Sequence, residues 1–319
     1  MRYGSLLLAA VLLAPMRCFA GDLAGEPEWW NKKADYVKTF DKLQQDYKNL
    51  PDYTEAMKKV HAKFTGRPGT LAMFGASQTG AKEFWSPLSD KTVQKNMPPQ
   101  MQKDYDLVNS TMKPECWKWK GARNGNSGGM STQWVNETAC GEVLKRLNPE
   151  VVVILIGQGN MDEMLKPPHE EQFEEWKRTL TEACQKCLEN GSIVIMSTFP
   201  PRVSRRVDVF NEAILQIAAK LKLPVTDWGG ECIKRSPTHW NGGDLEVRAK
   251  YNYVPDPKNR DAALDVPMLI CFDGQHASYP LKYANDWSEE SLRCSGNNLR
   301  SYITLTVYAD VLRKVCGVK

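Results

Sequence analysis

The sequence predicts an α/β domain in which helices cover both faces of a parallel sheet. Short, apolar, β-prone runs alternate with longer amphipathic helical patterns from residue 70 to near the C-terminus. Val151-Val-Val-Ile-Leu-Ile156 is apolar without interruption, as a strand buried on both faces must be. No internal repeat or low-complexity segment breaks the pattern, and a hydrophobic content of 42% over 319 residues can fill one large core or two small ones.

The elements follow in order. Residues 1–20 read as an export leader: Arg2 is the positive start, Leu6 to Leu13 an apolar stretch too short to span a bilayer, and Cys18-Phe-Ala20 the cleavage region. The mature chain is expected outside the cytosol, secreted or periplasmic, with no membrane attachment. Residues 21–66 form an N-terminal helical extension, with Trp30, Tyr36, Phe40, Leu43, Tyr47, Met57 and Val60 at helical spacing and a break near Pro51. The main domain spans 67–319 and begins its alternation after Gly66-Arg-Pro-Gly69. Strands are expected at 70–74, 151–156, 192–197, 224–227 and 267–272, and helices at 137–147, 171–189, 207–220 and 298–315. Residues 231–265 have little periodicity and many Gly, Pro, Asn and charged residues, and read as a surface insertion anchored by Cys232.

Charge and cysteine content narrow the function classes. The formal charge is +4, falling to about +2 without Arg2 and Arg17, and no basic stripe points to nucleic acid. Beyond Cys18 there are eight cysteines: 116, 140, 184, 187, 232, 271, 294 and 316. An even number in an exported chain implies disulfides of undetermined connectivity. Cys184-Gln-Lys-Cys187 lies late in a helical run rather than at a helix start after a strand, so it reads as structural rather than redox-active.

Asp273-Gly-Gln-His276 puts a carboxylate three residues before an imidazole, close enough to bond it across a tight turn. Far upstream, the first strand ends in Gly75-Ala76-Ser77, at the carboxyl end where parallel sheets place their ligands. Serine, histidine and aspartate are the attacker, base and orienter of acyl transfer. His61, His169 and His239 have no such partner pattern and read as surface or structural.

In their order along the chain these motifs resemble the SGNH (GDSL-type) hydrolase family over about residues 70–315. The first family block is matched by Gly75-Ala76-Ser77, the second by Asn124 to Thr132 with Gly128 and Gly129, the third by Gly157-Gln158-Gly159-Asn160, and the last by Asp273-Gly-Gln-His276. The segments Met196 to Arg202, Phe210 to Ala213 and Val225 to Asp227 resemble the family's intervening elements. The resemblance implies a three-layer α/β/α sandwich with a flavodoxin-like, five-stranded parallel sheet. It also implies ester hydrolysis through Ser77, His276 and Asp273, with an oxyanion hole from the amides of Ser77 and Gly128 and the side chain of Asn160, and no metal or organic cofactor. The expected substrate is a small-molecule or carbohydrate ester.

Two positions depart from the family pattern. Ala76 replaces the Asp before the nucleophile, and the family's Asn aligns without a gap on Gly159, so Asn160 takes its role only if the loop bulges by one residue. The alternative reading is a binding protein on the same fold with a decayed oxyanion site. Trp85, Trp117, Trp119 and Trp134 follow the first strand and are expected near the cleft, where an indole can stack on a sugar.

Overall fold

Four apolar runs pair into one parallel sheet: β1 (Leu71–Gly75), β2 (Val151–Leu155), β3 (Ile193–Ser197) and β4 (Val225–Thr226). The computed structural model describes residues 36–163, 169–202, 206–242, 247, 249 and 265–319. The expected leader lies outside them, as does much of the segment expected as an insertion.

Leu71 registers on Val151, Val151 on Ile193, and Met196 on Val225, giving the spatial order β1-β2-β3-β4. Every residue of these strands is buried, which requires cover on both faces. One further parallel bridge, Asn126 to Gly75, lies outside the named strands. β1 already pairs with β2 along its other edge, so this bridge lies beyond β1, at the edge of a four-stranded sheet.

The fifth strand expected at 267–272 does not join this sheet. Met268 and Ile270 instead make isolated bridges to Ser295, Asn241 and Ala277. The run is apolar because it is buried under loops, and local apolarity does not distinguish that setting from a strand.

Helices occupy the intervals as α1 (Tyr36–Lys48), α2 (Thr54–His61), the single turn α3 (Ser77–Gly80), α4 (Pro99–Thr111), α5 over 132–147, α6 (Gln158–Glu163), α7 (His169–Glu189), α8 (Val207–Leu221), α9 (Trp228–Arg235), α10 (Glu289–Cys294) and α11 (Gly296–Lys314). The middle of α5, Val135–Val143, is π-helical. α7 and α8 pack on β3, α5 packs on α7, and α4 packs along α11, which meets β4. Helix α9 overlaps the start of the expected insertion, so residues 231–235 continue the regular fold. Cys232 is buried in α9, where it anchors by packing rather than by a bond.

Among the described residues of the expected N-terminal extension, helices lie on both sides of Pro51. α1 lies on α8 and α9, with Lys42 paired to Glu212 at 2.9 Å and Gln44 donating to Asp227 at the end of β4. Among the described residues no helix is long and apolar enough to cross a membrane.

The expected disulfides are not formed: all eight cysteines are free thiols. The Cys140 and Cys187 sulfurs lie 3.8 Å apart, a thiol–thiol hydrogen bond rather than a disulfide. Burial pushes the Cys184 thiol up, and the contact with Cys140 together with burial does the same for Cys187, so neither has the thiolate character of a redox pair.

Candidate active site

β1 delivers Ser77 to the carboxyl edge of the sheet. Gly75 is the last residue of the strand, and the close approach there admits only glycine, since a Cβ would lie 2.3 Å from both the Leu155 carbonyl and the Thr79 hydroxyl. The chain then turns at once into α3, whose Thr79 and Gly80 amides close on the Ala76 carbonyl at 3.0 and 2.9 Å. Ser77 is the first residue of this turn, so its amide lies among the N–H groups that a helix start leaves without an internal acceptor. The Gly128 backbone passes alongside, close enough that a Cβ on it would sit 4.0 Å from the Ser77 Cβ.

The distant motif arrives through the 273–276 turn. Ser77 Oγ lies 2.8 Å from His276 Nε2, and His276 Nδ1 is bonded to Asp273 Oδ2. Asp273 Oδ1 accepts the amides of Gln275 and His276, each at 2.9 Å, and the Cys271 thiol at 3.1 Å. Burial alone would raise the Asp273 carboxyl. The His276 side chain and the two amides outweigh it and hold the group well below the usual carboxylate range. The sequence thus places serine, imidazole and carboxylate in one contiguous relay.

Asn160 and Gly159 differ from the expected bulged loop. Gly157, at φ +127°, turns the chain out of β2, and α6 starts immediately at Gln158. Asn160 therefore sits in a helical turn. Its side-chain carbonyl accepts the Thr132 amide at 3.1 Å and the Thr132 hydroxyl at 2.9 Å, which leaves the Nδ2 hydrogens as its remaining donors. Gly159 is exposed.

Several residues that organise this region were not singled out from the sequence as site residues. Gln78 donates to the Gln158 side chain at 3.0 Å and the Gln275 carbonyl at 2.7 Å, and accepts the Ala277 amide at 3.3 Å, tying α3 to α6 and to the histidine turn. Arg202 donates to the Gln275 side chain at 2.7 Å. Asn126, fully buried, donates to the carbonyls of Met73 and Trp119 and accepts the Gly121 amide, which fixes the Gly128 loop against β1.

Two cations close the far end of α3. Arg300 donates to the Gln78 carbonyl at 2.7 Å and the Thr79 hydroxyl at 3.2 Å, and Lys120 donates to the Thr79 carbonyl at 2.8 Å. Arg300 is fully buried, its guanidinium 3.8 Å from the Phe84 ring centroid and 5.0 Å from that of Trp228. Burial pushes it down to about 9. Burial, helped by the Arg300 charge, pushes the mostly buried Lys120 down to about 7. The available signal for Arg300 is that it is the one charge between Cys294 and Asp310. Lys120 has none.

Of the tryptophans expected near the cleft, Trp85 and Trp117 are core residues packed against each other at a tilt, ring centroids 4.9 Å apart, and only Trp119 and Trp134 are partly exposed.

No protein-family model matches the chain, and no curated protein does. Solved structures with a related trace include a psychrotrophic esterase from Pseudoalteromonas sp., at 12% identity and TM-score 0.43 over 77% of this chain and 99% of that one. An acetylxylan esterase from Geobacillus stearothermophilus aligns at 14% identity and TM-score 0.38, over 79% and 96%. Likeness at this level assigns no activity.

Proposed function

We propose that this chain is a serine hydrolase of carboxylic esters. The observation that carries the reading is the 2.8 Å contact between Ser77 Oγ and His276 Nε2, with Asp273 bonded behind the imidazole. Such a relay serves to take a hydroxyl proton while the oxygen attacks an acyl carbon.

Ser77 Oγ bonds to the acyl carbon as its proton passes to His276 Nε2. Asp273 keeps Nδ1 protonated and steadies the imidazolium. The carbonyl oxygen becomes an oxyanion facing the amides of Ser77 and Gly128, with Asn160 Nδ2 as the side-chain donor. Collapse breaks the bond to the alcohol, which leaves with the proton from His276. Water then attacks the acyl-serine with His276 again as base, and the carboxylic acid departs.

Among leaving alcohols, a carbohydrate hydroxyl is the class to test first. Trp119 and Trp134 lie on the segments that hold Asn126 and Asn160 and keep part of their surface open. The leader-like residues 1–20 support an exported site of action.

The deciding experiment is fluorophosphonate labelling with peptide mapping, alongside hydrolysis of short aryl esters and acetylated oligosaccharides. The expected adduct is on Ser77, and Ser77→Ala should lose both adduct and turnover at an unchanged melting temperature. An adduct elsewhere, or turnover surviving in Ser77→Ala, overturns the assignment. Folded wild type that neither labels nor turns over any ester favours the binding-protein reading, for which Ala76 is the supporting observation.

A further inference from the structure

The end of the sheet opposite Ser77 gathers three ligand-type side chains from distant parts of the chain. His61 closes α2, Glu150 immediately precedes β2, and Cys316 follows α11. One nitrogen, one oxygen and one sulfur from this trio all lie within 4.8 Å of one another. His61 Nε2 is 2.8 Å from Glu150 Oε1, and the Cys316 sulfur lies within 4.8 Å of a ligand atom of each. Glu150 is 4% exposed and His61 25%, so the cluster is inside the protein yet open on one side.

We propose that His61, Glu150 and Cys316 form a binding site for one Zn²⁺ ion that pins the N-terminal helices and the C-terminal tail to the sheet. Imidazole, carboxylate and thiolate are the zinc donor types. Tetrahedral zinc, with bonds of about 2.0 Å to nitrogen and oxygen and about 2.3 Å to sulfur, sets its ligand atoms roughly 3.3 to 3.6 Å apart. The observed spacing brackets that range, so small side-chain rotations suffice. The carboxylate is already oriented for one-oxygen ligation: the Gly69 amide donates to Oε2 at 2.6 Å and leaves Oε1 facing the histidine.

The Tyr308 hydroxyl on α11 is fully buried, has no hydrogen-bond partner among the described residues, and feels the charges of Glu150, Cys116 and Cys316. On binding, the Cys316 thiol proton goes to solvent. The proton on His61 Nε2 moves to Nδ1, so that the Nε2 lone pair meets the metal. Carboxylate and thiolate together balance the dication.

The test uses the full chain, stripped with chelator, loaded with Zn²⁺ and passed through gel filtration. Wild type should retain about one zinc per chain and melt several degrees higher than the stripped form. With Co²⁺ in place of zinc, it should show a thiolate-to-cobalt charge-transfer band in the near ultraviolet. Cys316→Ser should lose that band and bind at least tenfold more weakly, and His61→Ala should do the same. Ser77 labelling of folded protein should be equal with and without zinc. Retention below a tenth of an equivalent, or a wild-type cobalt spectrum in Cys316→Ser, overturns the proposal. Should His61→Ala fail to fold, the wild-type spectrum and Cys316→Ser decide the matter alone.

Discussion

Thr132 grips the side-chain carbonyl of Asn160 twice, through its amide at 3.1 Å and its hydroxyl at 2.9 Å. This double contact sets which end of the Asn160 amide is available, and it links the second sequence block to the third. A side-chain donor to an oxyanion acts mainly in the transition state. Asn160→Ala is therefore expected to lower kcat by about 10² or more with little change in KM. Thr132→Val removes one of the two holding bonds and should lower kcat by about three- to tenfold. Steady-state kinetics on an aryl ester check both. Full activity in Asn160→Ala would leave the hole to backbone donors, and Gly159→Asn should then raise the rate.

Asp273 has two separable jobs. It orients His276, so Asp273→Asn should lower kcat by about 10⁴ by presenting the wrong imidazole tautomer. It also titrates as a stabilising group. Its folded-state value is depressed, so its contribution is full above the unfolded carboxylate value near 4 and is lost as pH falls below it. Urea unfolding of wild type should weaken from about pH 4 downward, and the Asp273→Asn curve should be flatter there. Parallel curves would contradict the ionised, bonded carboxylate.

Lys120 gives the same sign in a higher pH window, there through relief of a burial penalty. Its value falls from an unfolded reference near 10.4 to about 7, so between those two pH values the unfolded chain binds the extra proton. Stability attributable to this site therefore rises with pH from about 7 upward. Relative to Lys120→Met, wild type should gain stability between pH 7 and pH 9, read as the difference of urea midpoints. A constant difference across that range would show that the ammonium is not desolvated beneath α3.

Gly157 tests the backbone that presents α6. Its φ is +127°, and a Cβ would lie 2.2 Å from Trp176 Nε1. Gly157→Ala combines a disfavoured dihedral with a collision in the core and is expected to destabilise by at least about 2 kcal/mol. The lower melting temperature should come with a lower kcat, since Gln158 and Asn160 follow directly. An unchanged melting temperature would mean that β2 leaves the sheet by another path.

Local pattern determined the elements that bury on both sides or on one stripe. The runs expected at 70–74, 151–156 and 192–197 form strands at 71–75, 151–155 and 193–197, because a parallel sheet under two helical layers needs unbroken apolarity. The helices α7, α8 and α11 were legible from their spacing. So were Ser77, Asp273 and His276, because a tight turn fixes the Asp-His pair locally and the end of a strand fixes the serine. The segment 267–272 shows where pattern fails: it is as apolar as a strand, yet its backbone bonds go to single residues at 241, 277 and 295. The tertiary structure alone decided that Asn160, and not Gly159, is braced by Thr132, that Lys120 and Arg300 close the far end of α3, and that eight thiols stay unpaired. Each of these depends on distance between residues far apart in the chain, and burial, rather than residue type, sets the energy of a charge or thiol placed there.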